Sequence, residues 1–121
     1  AALAAALAGE RFDHVLINAG IMGNRADTAA TISREAMAQL FWTNAIAPIR
    51  AARRLLSLVR DGGSIGFMTS VLGSVAGRTH GAVELYSASK AALNSLTRGF
   101  AVQDVGTRPV AVLNLHPGWV K

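Results

Sequence analysis

Val110-Ala111-Val112-Leu113-Asn114-Leu115, halted by His116-Pro117-Gly118, is the stretch that decides the fold. Its side chains are uncharged and apolar at every position but one, so both faces of the strand suit burial. Two comparable runs precede it: His14-Val15-Leu16-Ile17-Asn18, which ends in Ala19-Gly20, and residues 64–70. Helix-length segments lie between them. Thr31 or Ser33 caps a helix that runs to about Val59 and closes at Asp61-Gly62-Gly63. A second helix covers residues 86–102, with Ala88, Ala91, Ala92, Leu93 and Leu96 on its apolar side. Residues 1–8, rich in Ala and Leu, read as the tail of another helix that ends at Gly9. Strand, helix, strand, helix, strand with apolar strands predicts parallel βαβ units: an α/β sheet covered on both faces. Ligands bind such sheets beyond the carboxyl ends of the strands. Asn18-Ala19-Gly20, Thr69-Ser70 and His116-Pro117-Gly118 all fall there.

At 121 residues the chain suits one compact domain. Its apolar share of 51% and its modest charge fit a soluble globular domain and argue against disorder. The net charge of +5 invites the idea of a nucleic-acid partner. Arg50, Arg53, Arg54 and Arg60, however, share one apolar-periodic segment, and no basic run interleaves with aromatics. They read as a solvated helix face, with no nucleic acid implied. The lack of cysteine excludes disulfides and thiol catalysis. No apolar stretch nears the roughly 20 residues of a membrane span, and the Ala-rich start lacks a signal peptide's basic leader. A cytoplasmic location without membrane contact is expected. His14, His80 and His116 show no metal-ligand spacing and read as structural, so no metal site is expected.

Tyr86-Ser87-Ala88-Ser89-Lys90 sets a phenol and an ammonium four residues apart, on one helix face. A tyrosine with a pKa near 10 is a poor base at neutral pH, and a neighbouring cation favours its phenolate. Such a pair can move a proton to or from the oxygen of a carbonyl or alcohol. The spacing alone also fits two residues that merely cover a helix surface.

Set in order along the chain, Asn18-Ala19-Gly20, Asn44, Ser70, Tyr86-x-x-x-Lys90 and Pro117-Gly118 resemble the short-chain dehydrogenase/reductase family. The strings from Tyr86 to Asn94 and from His116 to Lys121 look especially like its carbonyl-reductase and C-factor-like members. The resemblance implies a partial Rossmann-type, doubly wound parallel sheet and an NAD(P)-dependent oxidoreductase. It makes residues 1–121 the central and later part of one domain, truncated at both ends. Tyr86 becomes the general acid in reduction and the base in oxidation. Ser70 steadies the substrate oxygen, with Thr69 and Ser74 as competing hydroxyls. Lys90 lowers the tyrosine pKa and binds the nicotinamide ribose. Asn18, Ala19 and Gly20 line the cofactor's adenosine side, and Pro117 and Gly118 shape the nicotinamide pocket. Ile17 stands where many members carry a further asparagine. The interval from Ser70 to Tyr86 exceeds that of many members by a few residues, which implies an insertion within residues 71–85 that affects substrate fit.

The family's main-chain carbonyl at the residue matching Asn44 holds a water that touches the lysine. Pro48 lies four residues later and has no N–H, so the Asn44 carbonyl loses its ordinary helical partner. Pro48 either frees that acceptor or only kinks the helix. The Gly-rich turn that opens the family precedes this region, and with it go the residues that choose NAD or NADP. The 121 residues by themselves are expected to bind cofactor poorly and turn over nothing. The partners implied are a small carbonyl or alcohol and, for the full-length protein, further copies in a homodimer or homotetramer. Two other readings stand beside the enzyme. One is a non-catalytic nucleotide-binding sensor. The other is an assembly module, in which Ala45, Ala47, Ala51 and Ala52 permit close helix packing unless they face the sheet.

Overall fold

The computed structural model describes residues 2–117. In chain order these form α1 (Ala2–Ala6), β1 (Phe12–Ile17), α2 (Arg34–Phe41), α3 (Ala47–Leu55), β2 (Val59–Met68), α4 (Glu84–Phe100) and β3 (Ala111–Leu115). The strands make one parallel sheet in the order β1-β2-β3. Val15 faces Ile65 and Ile17 faces Phe67 across the first pair, while Ile65 faces Val112 and Met68 faces Leu115 across the second. All carboxyl ends therefore emerge together, which brings residues 18–20, 69–70 and 116–117 to one edge.

Alternation along the strands decides what is buried. Ile65 and Phe67 join Ala45, Ile49, Ala52, Leu93 and Phe100 in the core, with Val15, Ile17 and Val112 packed against them. Phe67 and Phe100 meet edge to face, with ring centroids 5.9 Å apart, a geometry favoured by the ring quadrupoles. Ala45 and Ala52 thus serve the core. The opposite sheet face carries Leu16, Leu113 and Leu115, which are 52%, 42% and 38% exposed. Among the described residues helices cover one face, and the apolar side chains on the other are those that a sheet covered on both faces requires.

Two boundaries differ from the sequence reading. The helical run ends at Leu58, and Asp61-Gly62-Gly63 lie inside β2 rather than closing a helix. Pairing passes from Phe12–Val59 to His14–Ser64, so β2 bulges by several residues opposite Asp13. Gly62 adopts φ +85° and donates to Pro109 O at 2.6 Å, while Gly63 lies against the Asp13 carbonyl, where no side chain fits. A charged residue followed by two glycines reads like a helix stop, yet this bulge needs the same composition. The second boundary is at α4, which starts at Glu84. Its buried face is Ser87, Ser89, Lys90, Leu93, Thr97 and Phe100, and Ala88 is exposed.

Ser33, rather than Thr31, caps α2, its hydroxyl accepting from Ala36 N at 3.1 Å. Between α2 and α3 the chain widens into a π-helical segment, Trp42–Ile46, where Ala47 N donates to Trp42 O. Pro48 sits in the first turn of α3 just beyond. Arg50, Arg53 and Arg54 are exposed on α3 as read, whereas Arg60 is exposed on β2 instead of the helix; Arg53 pairs with Asp104 at 3.1 Å and Arg50 lies over the Trp42 ring. Exposed pairs of this kind contribute little stability. Among the described residues no helix is long and apolar enough to cross a membrane.

Candidate active site

The site is built where α4 leans on the end of β2. Ser70 follows the strand with an extended backbone and caps the short 3-10 turn Val71–Gly73, accepting from Leu72 N at 3.1 Å. The Ser70 hydroxyl also stands near enough to the Tyr86 phenol to favour its phenolate, and both residues wall one cavity. The competing hydroxyls are occupied elsewhere. Thr69 Oγ1 donates to Asn94 Oδ1 at 2.8 Å, and Ser74 Oγ accepts from Gly77 N at 3.1 Å. One turn after Tyr86, Lys90 is 4% exposed and donates from Nζ to Met68 O at 3.2 Å.

Burial raises the Tyr86 phenol above its ordinary value of 10.0, and the Ser70 hydroxyl pulls the other way without overcoming it. Burial likewise lowers the Lys90 ammonium below its ordinary 10.5. In this arrangement burial outweighs what favours the phenolate. The Lys90 Nζ lies over the tyrosine ring, 5.7 Å from the centroid, and one of its three protons goes to the Met68 carbonyl. The group that favours the phenolate in this arrangement is Ser70.

Asn44 sits in the π-helical segment and is fully buried. The sequence reading gave it a main-chain role; its side chain also works. Oδ1 accepts from Ile21 N at 2.8 Å, and Nδ2 donates to Ile21 O at 2.7 Å and to Ser89 Oγ at 3.0 Å. Ser89 in turn donates to Tyr86 O at 2.7 Å. One amide therefore fastens the loop after β1 to the helix that carries Tyr86. The π widening directly precedes Pro48, whose missing N–H deprives the Asn44 carbonyl of a regular helical bond.

Asn18, Ala19 and Gly20 leave β1 beside this clamp. A Cβ on Gly20 would stand 3.3 Å from Lys90 Nζ and 3.4 Å from Asn44 Oδ1, so the backbone approaches both because no side chain intervenes. A cavity of about 230 Å³ opens over Ser70 and Tyr86. Its walls include Met22, Val71, Leu72, Ala82 and Val83, together with Arg25, His80, His116 and Pro117. Gly118 lies outside the described residues. Ser70, Tyr86, Lys90, Asn44, residues 18–20 and Pro117 are thus gathered at one end of the sheet.

Sequence reasoning missed four contributors. Ser89 and Asn94 stand in the string from Tyr86 to Asn94 but received no role, although both follow the Tyr86 face at three- or four-residue steps. Gly73 packs so closely on α4 that a Cβ there would lie 2.8 Å from Asn94 Nδ2 and 3.0 Å from Lys90 Cβ. Val83, immediately before α4, adopts φ 46° and ψ 50°. A β-branched residue in the left-handed region is strained by about 1–2 kcal/mol, and no sequence signal marks it.

Comparison with known proteins agrees with this fold. The family model described as enoyl-(acyl carrier protein) reductase matches residues 1–121. The C-signal protein of Myxococcus xanthus is 33% identical over 111 residues, covering 90% of this chain and 66% of that protein. The 1-hydroxy-2-glutathionyl-2-methyl-3-butene dehydrogenase of Rhodococcus sp. (strain AD45) is 33% identical over 121 residues, covering 98% of this chain and 52% of that enzyme. A carbonyl reductase from Pseudomonas aeruginosa PAO1, solved in complex with NADP, superposes with a TM-score of 0.90 at 45% identity, covering 98% of this chain and 53% of that one. The chain thus spans between about half and two-thirds of these relatives' lengths. It belongs to the short-chain dehydrogenase/reductase family.

Proposed function

We propose that the protein is an NAD(P)-dependent oxidoreductase that interconverts a small carbonyl compound and its alcohol. The observation that carries this reading is that Ser70 and Tyr86 share the wall of a cavity at the carboxyl edge of the sheet, with Lys90 one helical turn behind on the end of β2. Ser70 donates to the oxygen where negative charge develops, and Tyr86 delivers its phenolic proton there in reduction or withdraws one in oxidation. A phenol held neutral by burial suits the donating direction. A bound nicotinamide cofactor supplies or accepts the hydride. The side-chain-free backbone at Gly20, next to Lys90, is a cradle that a Cβ would fill, and it fits such a group. Residues 18–20 would line its adenosine side, Lys90 its ribose, and Pro117 and Gly118 its nicotinamide end. Asn44 would offer its main-chain carbonyl to a water beside Lys90. The mostly apolar walls, with basic residues and no acidic ones among them, favour a substrate with an apolar body.

NAD and NADP both remain compatible with these residues; the Pseudomonas relative is solved with NADP. Residues 1–121 are read as one portion of a single Rossmann-type domain in a cytoplasmic protein. Exposed Met37, Trp42 and Ile46 on the α2–α3 side suit contact with further copies in a homodimer or homotetramer.

The test is Tyr86→Phe in the full-length protein, assayed with NADH and NADPH against generic aldehydes and ketones. Turnover should fall by about 10²–10⁴-fold while cofactor binding persists. A parent protein that binds cofactor but reduces nothing would instead be a nucleotide sensor.

A further inference from the structure

The helix that carries Tyr86 grips the strand end at three successive turns. Tyr86 stands beside the Ser70 hydroxyl, Lys90 reaches the Met68 carbonyl and Asn94 reaches the Thr69 hydroxyl. The first two belong to the site described above. Asn94 itself is not among the residues that wall the cavity, yet it holds Thr69, the residue next to Ser70. Thr69 is anchored on its other side as well, its N–H donating to Leu115 O at 2.9 Å.

Asn94 is itself firmly placed. Its main-chain carbonyl accepts from Thr97 Oγ1 at 2.9 Å, and Thr97, 1% exposed, accepts from Asn114 Nδ2 of β3 at 3.0 Å. The amide of Asn94 also lies so close to Gly73, the last residue of the turn that Ser70 caps, that a Cβ there would stand 2.8 Å from its nitrogen. Asn94 therefore touches the chain one residue before Ser70 and three residues after it.

We infer that Asn94 is a positioning residue for Ser70: through Thr69 and Gly73 it fixes the register between the strand end and α4, and so where the serine proton points. This rests on the reductase reading of Ser70 and Tyr86. A displacement of about 1 Å in a reacting group can cost about a hundredfold in rate. The effect of losing this hold should thus appear in the chemical step rather than in cofactor affinity.

The experiment compares Thr69→Val, Thr69→Ser, Asn94→Leu, Ser70→Ala and Ser70→Ala/Thr69→Val in the full-length protein. Tyr86→Phe serves as the check on the underlying reading. Thr69→Val replaces a hydroxyl by a methyl of nearly the same shape, so it keeps the test alive if Asn94→Leu does not fold. Thr69→Val and Asn94→Leu should each lower kcat by roughly 10–100-fold with cofactor Kd unchanged, whereas Thr69→Ser, which keeps the hydroxyl, should retain parental kcat. The double variant should be no slower than Ser70→Ala, since a displaced serine and an absent one fail alike.

Parental kcat in Thr69→Val, or a double variant whose losses multiply, overturns this inference alone, provided the parent turns over and Tyr86→Phe does not. A parent without turnover, or an active Tyr86→Phe, removes the proposed function and this inference with it.

Discussion

Replacing Asn44 by alanine should loosen the protein at a position far along the chain from the substitution. Asn44 makes three side-chain hydrogen bonds from a fully buried position, two of them to the backbone of Ile21. Removing the amide orphans one N–H and one carbonyl, each of which costs about 1–3 kcal/mol when no water replaces the partner. Ile21 is only half-buried, so the low end applies, giving about 2 kcal/mol. Ser89 retains its bond to Tyr86 O and adds little. The vacated side-chain volume contributes roughly 1 kcal/mol more. The expected total is about 3 kcal/mol, or roughly a hundredfold in the opening equilibrium of the loop after β1. Amide hydrogen exchange at Ile21 in the full-length protein reads this directly, and a denaturant midpoint reads it globally. Asn44→Asp should do comparable damage, because a carboxylate would face the Ile21 carbonyl without a proton to offer. An Asn44→Ala protein with unchanged Ile21 exchange and a stability loss below about 1 kcal/mol would refute the clamp.

Two further outcomes are expected. Val83→Gly should raise thermal stability by relieving a left-handed β-branched residue, a gain of about 1 kcal/mol reduced by glycine's greater freedom in the unfolded chain. It should also raise KM, since the same side chain walls the cavity. In the cofactor-free protein, the difference in phenolate absorbance between parent and Tyr86→Phe should titrate above 10.0, and Ser70→Ala should move it higher still. By linkage, the associated stability is fully present below 10.0 and is lost as pH rises through the folded value. A titration at or below 10.0 would show that burial does not dominate.

The parallel sheet was legible because its strands are continuous apolar runs ending in turn residues, a signal that depends on local composition alone. Tyr86, Lys90, Ser70 and Asn44 were legible because each stands in a recognisable string. What escaped was what depends on distance in space. Asn94 becomes informative only when Thr69, 25 positions away, is found against it. Asp61-Gly62-Gly63 misled because helix ends and bulges both need residues that tolerate positive φ. The direction of the Tyr86 shift also escaped, since four-residue spacing sets a lysine near the phenol without saying whether it meets the oxygen or the ring.

The excursion between Gly73 and Val83 begins at a glycine locked onto α4 and ends where Glu84 accepts from Ala29 N at 3.1 Å. Between those moorings it is held mostly by itself, with the Arg78 guanidinium bridging the carbonyls of His80 and Ala82. Its residues can therefore be exchanged or lengthened without shifting the proton-handling groups outside it. For the oxidoreductase proposed above, selectivity and turnover then become separately adjustable properties, one written in an interchangeable segment and the other in the framework that bears it.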